Sequence, residues 1–412
     1  MPTVTISEQV MTLLAATYKV DRATHARLSN PQDCIHLFSR DGEAYIANQK
    51  IAVRVSDVHL PFRDITIEHH TIDQVYGETG DVQITYTDGE TEATVARGSS
   101  IITGYVCDNR YPFDVDNVGL HAAFTGCDDA LRAGLAFCGG VDRLHGVAFY
   151  TDHDGAFLFA ADGFMAIKQY VQLAEYRLFP RATDATEAID YTAQGPLIGQ
   201  VSAAVLKKLL PKIKHISRLD ITAGKPFHRV CVTTGDGLRI YWLDGNHGYT
   251  PGMPSLFSGL IDSTMLSRAT VSGKDLNSVR KVLPKKQKDN VYMGMQNQED
   301  AVVFFTVGVR NGGAYYRPSP KTERARISAQ NTVRGTYHRV LPSAALIINA
   351  GFLDRALSTI KPTATYNVVM TTEARFDVFG AKPLIIENEK TVMAIMPVQV
   401  NAAIRDYQET ES

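Results

Sequence analysis

The densest group of residues able to do chemistry lies in the segment TDHDG at 151–155, where Asp152, His153 and Asp154 follow one another. Carboxylates and imidazole bind divalent metals, so a metal-dependent phosphoesterase is one function that this triplet allows. An Asp-Gly dipeptide also forms tight turns between strands, because glycine tolerates the backbone angles of such turns. We therefore predict a hairpin turn without a metal and keep the phosphoesterase as an alternative.

Sequence motifs of several common enzyme classes are missing. The sequence has no Walker lysine motif, no G-x-S-x-G elbow and no HExxH helix. Its cysteines are odd in number and include no CxxC pair, which predicts reduced, mostly buried thiols and neither a zinc site nor disulfides. These are Cys34, Cys107, Cys127, Cys138 and Cys231. We expect no enzymatic activity, no catalytic residue and no cofactor.

The length and charge of the chain narrow its class. A chain of 412 residues exceeds one hydrophobic core and predicts two to four domains. No apolar run approaches the ~20 residues that cross a bilayer, and the N-terminus lacks a signal-peptide pattern, so we expect a soluble, cytoplasmic protein without a membrane partner. With a formal net charge of −2, any DNA contact must use positive charge concentrated on one surface.

One layout of elements recurs three times along the chain. It consists of a short apolar strand, a polar break, a short amphipathic helix, a turn and another strand, and it occupies 64–87, 196–223 and 345–371. The copies are separated by domain-sized intervals, too long for a solenoid repeat.

A hairpin precedes the first two copies of this layout. Residues 34–58 and 147–171 alternate apolar and polar side chains on both sides of an Asp-Gly turn, which begins at Asp41 in one and at Asp154 in the other. A weaker third copy spans 290–309.

The repeats together predict an α+β fold. Amphipathic helices must bury their apolar stripe against a sheet, so we expect three tandem domains, each with two helices packed on antiparallel sheet. We place the domains at 1–116, 117–260 and 261–400, followed by a C-terminal extension at 401–412.

Three segments resemble those of the bacterial DNA polymerase III beta subunit, the sliding clamp. AADGFMAIKQ at 160–169 is similar to an ATDG-type strand, LDGNHGYTPGMP at 243–254 to a VDG-x-FPDY-type loop, and MAIMPVQV at 393–400 to a MPMRL-like end. The resemblance covers nearly the whole chain. It implies three clamp-like domains in a head-to-tail homodimeric ring of six domains, with helices lining the hole and sheets outside.

The resemblance also implies a function. A sliding clamp is a processivity factor that encircles double-stranded DNA and tethers the replicative DNA polymerase, and a separate clamp loader places it there. The departures from the family described below would suit a divergent phage or plasmid clamp. An alternative is a non-encircling interaction scaffold with the clamp fold, because a fold alone does not determine function.

Basic side chains fall opposite the apolar stripes of several predicted helices. Pro211 is expected to end one such helix near Leu210, and Ser272 with Asp275 resembles a capping box at the start of another. A solvated helix face is the alternative interpretation of these cations. The predicted DNA-facing cations are Lys19, Arg22, Lys207, Lys208, Lys212, Lys274, Arg280 and Lys281.

Clamps bind short peptides of the polymerase and the loader in a hydrophobic cleft between the second and third domains. Phe164 and Met165 stand where clamps commonly have a polar or basic pair, and Gln399 replaces a basic residue, so we predict a more apolar cleft. Core packing is the alternative role for Phe164 and Met165. By position, the resemblance assigns to this cleft Leu144, Asp162, Gly163, Phe164, Met165, Ala166, Met253, Met396, Pro397 and Val398.

Overall fold

The structure is a computed structural model. It describes residues 2–25, 34–55, 58–61, 63–69, 72–107, 119–139, 144–179, 197–224, 227–245, 248–250, 252–253, 266–281, 283, 290–298, 301–309, 333–339, 344–371 and 383–397. Val398 and the predicted C-terminal extension at 401–412 lie outside the described residues. Within the described part of the chain, no helix combines the length and the apolar character needed to cross a membrane.

The described residues contain six α-helices, several of them capped by polar side chains. Ser272 accepts a hydrogen bond from the backbone of Asp275 at 3.1 Å, which confirms the predicted cap. A 3-10 turn that contains Pro211 follows the fourth helix, as predicted. The helices are α1 (Glu8–His25), α2 (Ile72–Gly77), α3 (Asp128–Phe137), α4 (Ala203–Leu209), α5 (Gly273–Arg280) and α6 (Ala350–Ser358).

Strands make up most of the described structure, and their pairings are antiparallel. Up to residue 178 they are β1 (Thr3–Ile6), β2 (Cys34–Arg40), β3 (Glu43–Ala47), β4 (Ala52–Val55), β5 (Ile65–Glu68), β6 (Val82–Thr85), β7 (Glu92–Arg97), β8 (Ser100–Cys107), β9 (Leu120–Thr125), β10 (Gly146–Asp152), β11 (Gly155–Ala161) and β12 (Met165–Leu178). The later strands are β13 (Leu197–Ser202), β14 (Ile216–Ala223), β15 (His228–Thr234), β16 (Arg239–Asp244), β17 (Leu266–Ser272), β18 (Asn290–Gln298), β19 (Ala301–Val309), β20 (Val333–Arg339), β21 (Ala344–Asn349), β22 (Thr365–Thr371), β23 (Leu384–Glu387) and β24 (Thr391–Ile395).

The three predicted hairpins are present as β2–β3, β10–β11 and β18–β19. In the first, Arg40 pairs with Glu43, so the Asp-Gly dipeptide itself forms the two-residue loop. In the second, Asp152 pairs with Gly155, and the loop consists of the two residues between them. The two Asp-Gly dipeptides therefore sit one residue apart within otherwise equivalent hairpins.

The helices form one layer beneath the sheets. They contact one another in the order α2, α1, α4, α3, α6, α5. Their apolar stripes are buried; for example, Leu206, Leu209 and Leu353 are 0% exposed and belong to one continuous core that also includes Val4 and Ile395. This confirms a mostly antiparallel α+β fold with few helices. The division into three domains and the ring remain predictions.

Two strand pairings connect the three stretches of chain at 1–116, 117–260 and 261–400, the predicted domains, which we call the first, second and third repeats. Between the first and second repeats, β4 pairs with β16 through Val53 and Ile240. Between the second and third, β12 pairs with β24, with Met165 opposite Ile395. In both pairings, the strand that follows the hairpin of one repeat pairs with the last strand of the next. We call each of these two pairings a joint.

Candidate partner-binding cleft and DNA-facing surface

The loop between β11 and β12 is a tight turn built around Asp162. The Asp162 side chain is 2% exposed, and its Oδ1 accepts hydrogen bonds from the backbone N–H groups of Phe164 at 3.0 Å and Met165 at 2.9 Å. Gly163 has φ of 90°, a conformation that glycine adopts at little cost. Asp162 and Gly163, both assigned to the cleft from sequence, therefore shape its backbone.

Phe164 carries an exposed aromatic ring at the joint between β12 and β24. The ring is 53% exposed on one side and stacks on Phe352 of α6 on the other, with centroids 5.5 Å apart and planes 16° apart. The backbone N–H of Met396 donates to the carbonyl oxygen of Phe164 at 2.8 Å, and the Met396 side chain is 38% exposed. We call Phe164, Phe352 and Met396 the aromatic ledge.

Three other predicted cleft residues pack against a single buried cluster behind the ledge. Leu144, Ala166 and Met253 contact this cluster, which unites aromatic residues of β10 and β11 with aliphatic residues of the third repeat. The structure therefore brings together predicted residues from segments more than 80 residues apart in the chain. The cluster consists of Ala148, Tyr150, Phe157, Phe159, Ala161, Tyr249, Val369, Ile385 and Ala394.

Two residues that the sequence assigned to direct peptide contact are buried. Asp162 is 2% and Met165 is 3% exposed, because the turn directs both side chains inwards towards α6. They can act on a bound peptide only through the residues in front of them. Pro397 is half-buried next to the ledge.

Tyr249, which was not among the predicted cleft residues, holds the loop after β16 against the sheet. Its hydroxyl donates to the carbonyl oxygen of Gly146 at 2.6 Å and accepts from the backbone N–H of Ala161 at 3.1 Å. Burial raises the pKa of Tyr249 well above its ordinary value, so the hydroxyl keeps its proton. The sequence did contain a signal for Tyr249, because it is the single Phe, Tyr or Trp residue in the segment 243–254 that resembles the clamp loop.

Two residues of α6 also lie at the site without having been predicted from sequence. Phe352 supplies the lower ring of the ledge, and Arg355, three residues later, forms an ion pair with Asp162 through Nη2. The Arg355 guanidinium lies 5.3 Å from the centre of the Phe352 ring. Both residues lie off the apolar stripe of α6, and residues three apart are neighbours on a helix. This spacing was the sequence signal that Phe352 and Arg355 could act at one site.

The predicted DNA-facing cations lie on the helix layer. Lys207 and Lys208 of α4 are exposed, and so are Lys212 in the following turn, Lys274 of α5 and Lys281 at the end of α5. Arg280 is different, because its Nε donates to Asp354 of α6 at 3.0 Å. Lys19 and Arg22 belong to α1, but their side chains lie outside the described residues.

The metal-like triplet at the β10–β11 hairpin has donor atoms within 4.8 Å of one another. Asp152, however, accepts hydrogen bonds from Lys168 Nζ at 2.7 Å and from the Tyr170 hydroxyl at 3.3 Å. His153 and Asp154 project into solvent, with side chains 88% and 58% exposed. The more buried of the two carboxylates, Asp152, is therefore already paired with the Lys168 cation, which would compete with a metal ion.

The chain is similar to solved structures of bacterial sliding clamps. The Helicobacter pylori beta clamp bound to a DNA ligase peptide matches with a TM-score of 0.63 at 11% identity, covering 96% of this chain and 100% of that chain. The Bacillus subtilis sliding clamp gives a TM-score of 0.60 at 12% identity, and the Thermotoga maritima DNA polymerase III beta subunit gives 0.58 at 12%. Each of these two covers 97% of this chain and 99% of its own.

No protein-family model and no curated protein match the sequence. The structural match nevertheless spans nearly the whole chain and is to the same family that the segments at 160–169, 243–254 and 393–400 resemble. The chain therefore has the fold of the bacterial sliding clamp, the DNA polymerase III beta subunit.

Proposed function

We propose that the protein is a DNA sliding clamp. In this proposal two copies close head to tail into a ring around double-stranded DNA, and the ring tethers a replicative DNA polymerase. The protein itself is not an enzyme, and the ATP-dependent step of loading belongs to a separate clamp loader. The observation that carries the proposal is the strand joint that recurs between successive repeats.

The recurring joint predicts how a ring would close. In each joint within the chain, the last strand of one repeat pairs with the strand that follows the hairpin of the preceding repeat. Within the described residues, the equivalent strands without such a joint are β8, which ends the first repeat, and β20, which follows the hairpin of the third. They contact α2 and α5, the first and last helices in the order of helix contacts, so a head-to-tail second copy would pair them twice and complete a closed symmetric dimer.

The exposed edge of β8 supports this closure. Within the described residues, β8 pairs with β7 from Ser100 to Tyr105 and with β5 only from Tyr105 onwards. Its other edge is open along 100–104, and edges of this kind readily pair with another chain. Ile101 and Tyr105 on the strand are 72% and 68% exposed, which makes them suitable apolar contacts for a second copy.

The helix layer supports a sliding contact with DNA. Its exposed lysines stand on α4, on α5 and in the turn after α4, where long flexible cations could meet phosphates without reading bases. The formal net charge of −2 fits a protein whose affinity is not the main reason that it stays on DNA. In a closed ring, retention is topological.

The aromatic ledge and the cluster behind it support a tether for a polymerase peptide. A few apolar side chains in a preformed cleft supply most of the affinity for a short peptide. A tethered polymerase then has a high effective concentration at the primer end, which is the physical basis of processivity.

A threading assay tests encirclement without a loader. A linear duplex is fixed to a bead by one end and incubated with the protein, and its free end is then capped with a bulky protein block. We expect protein to remain on the capped DNA through a high-salt wash that breaks phosphate contacts, and to leave when a restriction enzyme removes the cap. Equal loss from capped and uncapped DNA would contradict encirclement and favour the non-encircling scaffold.

A further inference from the structure

The two carboxylate oxygens of Asp162 bind different partners. Oδ1 accepts the backbone N–H groups of Phe164 and Met165 and so forms the turn. Oδ2 pairs with Nη2 of Arg355, which comes from α6 in the third repeat, 193 residues further along the chain. A single buried side chain therefore fastens the turn of one repeat to a helix of the next.

A second contact closes the same connection through aromatic rings. Phe352 lies one helical turn before Arg355, so both side chains reach the Asp162 turn from the same face of α6. The Phe352 ring stacks on Phe164, and the Arg355 guanidinium covers Phe352. The position of the exposed Phe164 ring is thus set by α6 through one ion pair and one stack.

Loss of the Arg355–Asp162 ion pair should strongly destabilise the turn at Asp162. Asp162 is 2% exposed, so without Arg355 its carboxylate would be buried and unpaired, which is strongly unfavourable. The carboxylate would regain hydration by opening the turn, and Phe164 would leave Phe352. A second ion pair connects the same two repeats, between Lys361 and Asp129 at 2.5 Å. These side chains are 57% and 62% exposed, so water can solvate either charge when the other is removed.

We propose that Arg355 is a positioning residue for the partner cleft, because it holds the Asp162 turn and thereby the aromatic ledge. The assignment of the ledge to partner binding rests on the proposed function. The cleft is then a property of the joint between the second and third repeats, and it exists only while α6 is docked on the turn.

Amide hydrogen exchange of the full-length protein, read by mass spectrometry with electron-transfer fragmentation, tests this directly. Arg355→Met keeps the length of the side chain and removes its charge. We expect the amides of Phe164, Met165 and Met396 to exchange on the order of a hundredfold faster, because each depends on the closed turn. Amides of the β14–β15 pair should keep their wild-type rates.

Two further variants separate positioning from general damage. Lys361→Met removes the exposed ion pair of the same joint, and we expect wild-type exchange at the three amides. Asp162→Asn combined with Arg355→Met removes both charges while an amide oxygen still accepts the turn hydrogen bonds, so exchange should return to within about tenfold of wild type. This double variant should fold even if Arg355→Met alone does not.

Unchanged exchange in Arg355→Met would overturn the proposal. It would also be overturned if the double variant were as open as the single one, or if exchange rose evenly over the whole chain. Failure of the threading assay would remove the proposed function and leave the exchange result for Arg355 as it stands, so the two failures are distinguishable.

Discussion

Lys168 determines the role of Asp152 at the β10–β11 hairpin. Its Nζ lies 2.7 Å from the Asp152 carboxylate and 4.2 Å from the centre of the Phe157 ring. Burial alone would raise the pKa of Asp152, but the hydrogen bond and charge of Lys168 outweigh it and hold that pKa below its ordinary value. A carboxyl group of this kind stabilises the fold above its unfolded pKa, and the contribution is lost as pH falls through the folded pKa.

We expect Asp152→Asn to lower the free energy of unfolding by about 1 kcal/mol at pH 7, because the variant loses a partly buried charge partner. The difference from wild type should begin to shrink as pH falls below about 4, where the carboxylate of the unfolded chain takes up a proton, and it should disappear as pH falls through the lower pKa of the folded state. Urea denaturation at pH 7 and pH 3 measures both values. Asp154→Asn, at an exposed position in the same loop, is the control, and an equal loss at both pH values for Asp152→Asn would contradict this account.

Burial also determines the reactivity of the cysteines. It raises the pKa of the Cys127, Cys138 and Cys231 thiols to about 12. Thiolate is the reactive form, so at pH 8 only about one in ten thousand of these thiols could react even if a reagent reached them. We expect iodoacetamide to modify the partly exposed Cys107 first and these three only after unfolding, as mapped by peptide mass spectrometry. Rapid modification of all of them in the native protein would show this to be wrong.

At the scale of elements, α4 presents two adjacent cations on the helix layer. Lys207 and Lys208 are exposed, while Val205, Leu206 and Leu209 of the same helix are buried. Changing Lys207 and Lys208 to Glu should weaken binding to duplex DNA, because two phosphate contacts are lost. The slope of the logarithm of the binding constant against the logarithm of the salt concentration should become less steep by about two. Fluorescence anisotropy over a series of salt concentrations measures this slope.

The control for α4 is Arg177→Glu, an exposed arginine on β12, a strand of the sheet and not part of the helix layer. We expect it to leave the salt dependence unchanged. If both changes reduced DNA binding equally, the effect would come from net charge and not from the position of α4.

Arg280 of α5 shows why a helix pattern alone is an incomplete guide to such a surface. Its sequence position is opposite the apolar stripe, as for the lysines, but its Nε is held by Asp354 at 3.0 Å. Part of its charge is therefore compensated by a residue 74 positions away. The lysines of α4 are the sharper test of the proposed DNA-facing surface for this reason.

At the scale of the whole molecule, the proposed ring would close through the open edge of β8. Replacing Ile101 and Tyr105 together by lysine should convert the proposed dimer into a monomer at micromolar concentration, because charge would be placed on an exposed edge that the second copy must cover. Light scattering after size-exclusion chromatography measures the mass. The variant should also fail to remain on capped DNA.

The control for β8 is Leu178→Lys, which changes an exposed apolar residue, 51% exposed, at the end of β12. We expect it to remain dimeric. A wild-type protein that is itself monomeric under these conditions would contradict the ring and favour the non-encircling scaffold.

Several features followed from the sequence alone because they depend on residues close together in the chain. The β10–β11 hairpin, the cap at Ser272, the end of α4 near Leu210 and the α+β class are encoded by local periodicity, turn residues and caps. The resemblance to clamps was also visible in short segments, and the structural comparison confirmed it.

Other features were decided only by the tertiary structure, because they depend on side chains that meet from distant parts of the chain. The sequence placed Asp162 and Met165 at the cleft surface, whereas packing against α6 buries both and brings Arg355 to Asp162. Phe352 beneath Phe164 is a contact of the same kind. No local pattern specifies such pairings, since they arise when the β12–β24 register places two repeats side by side.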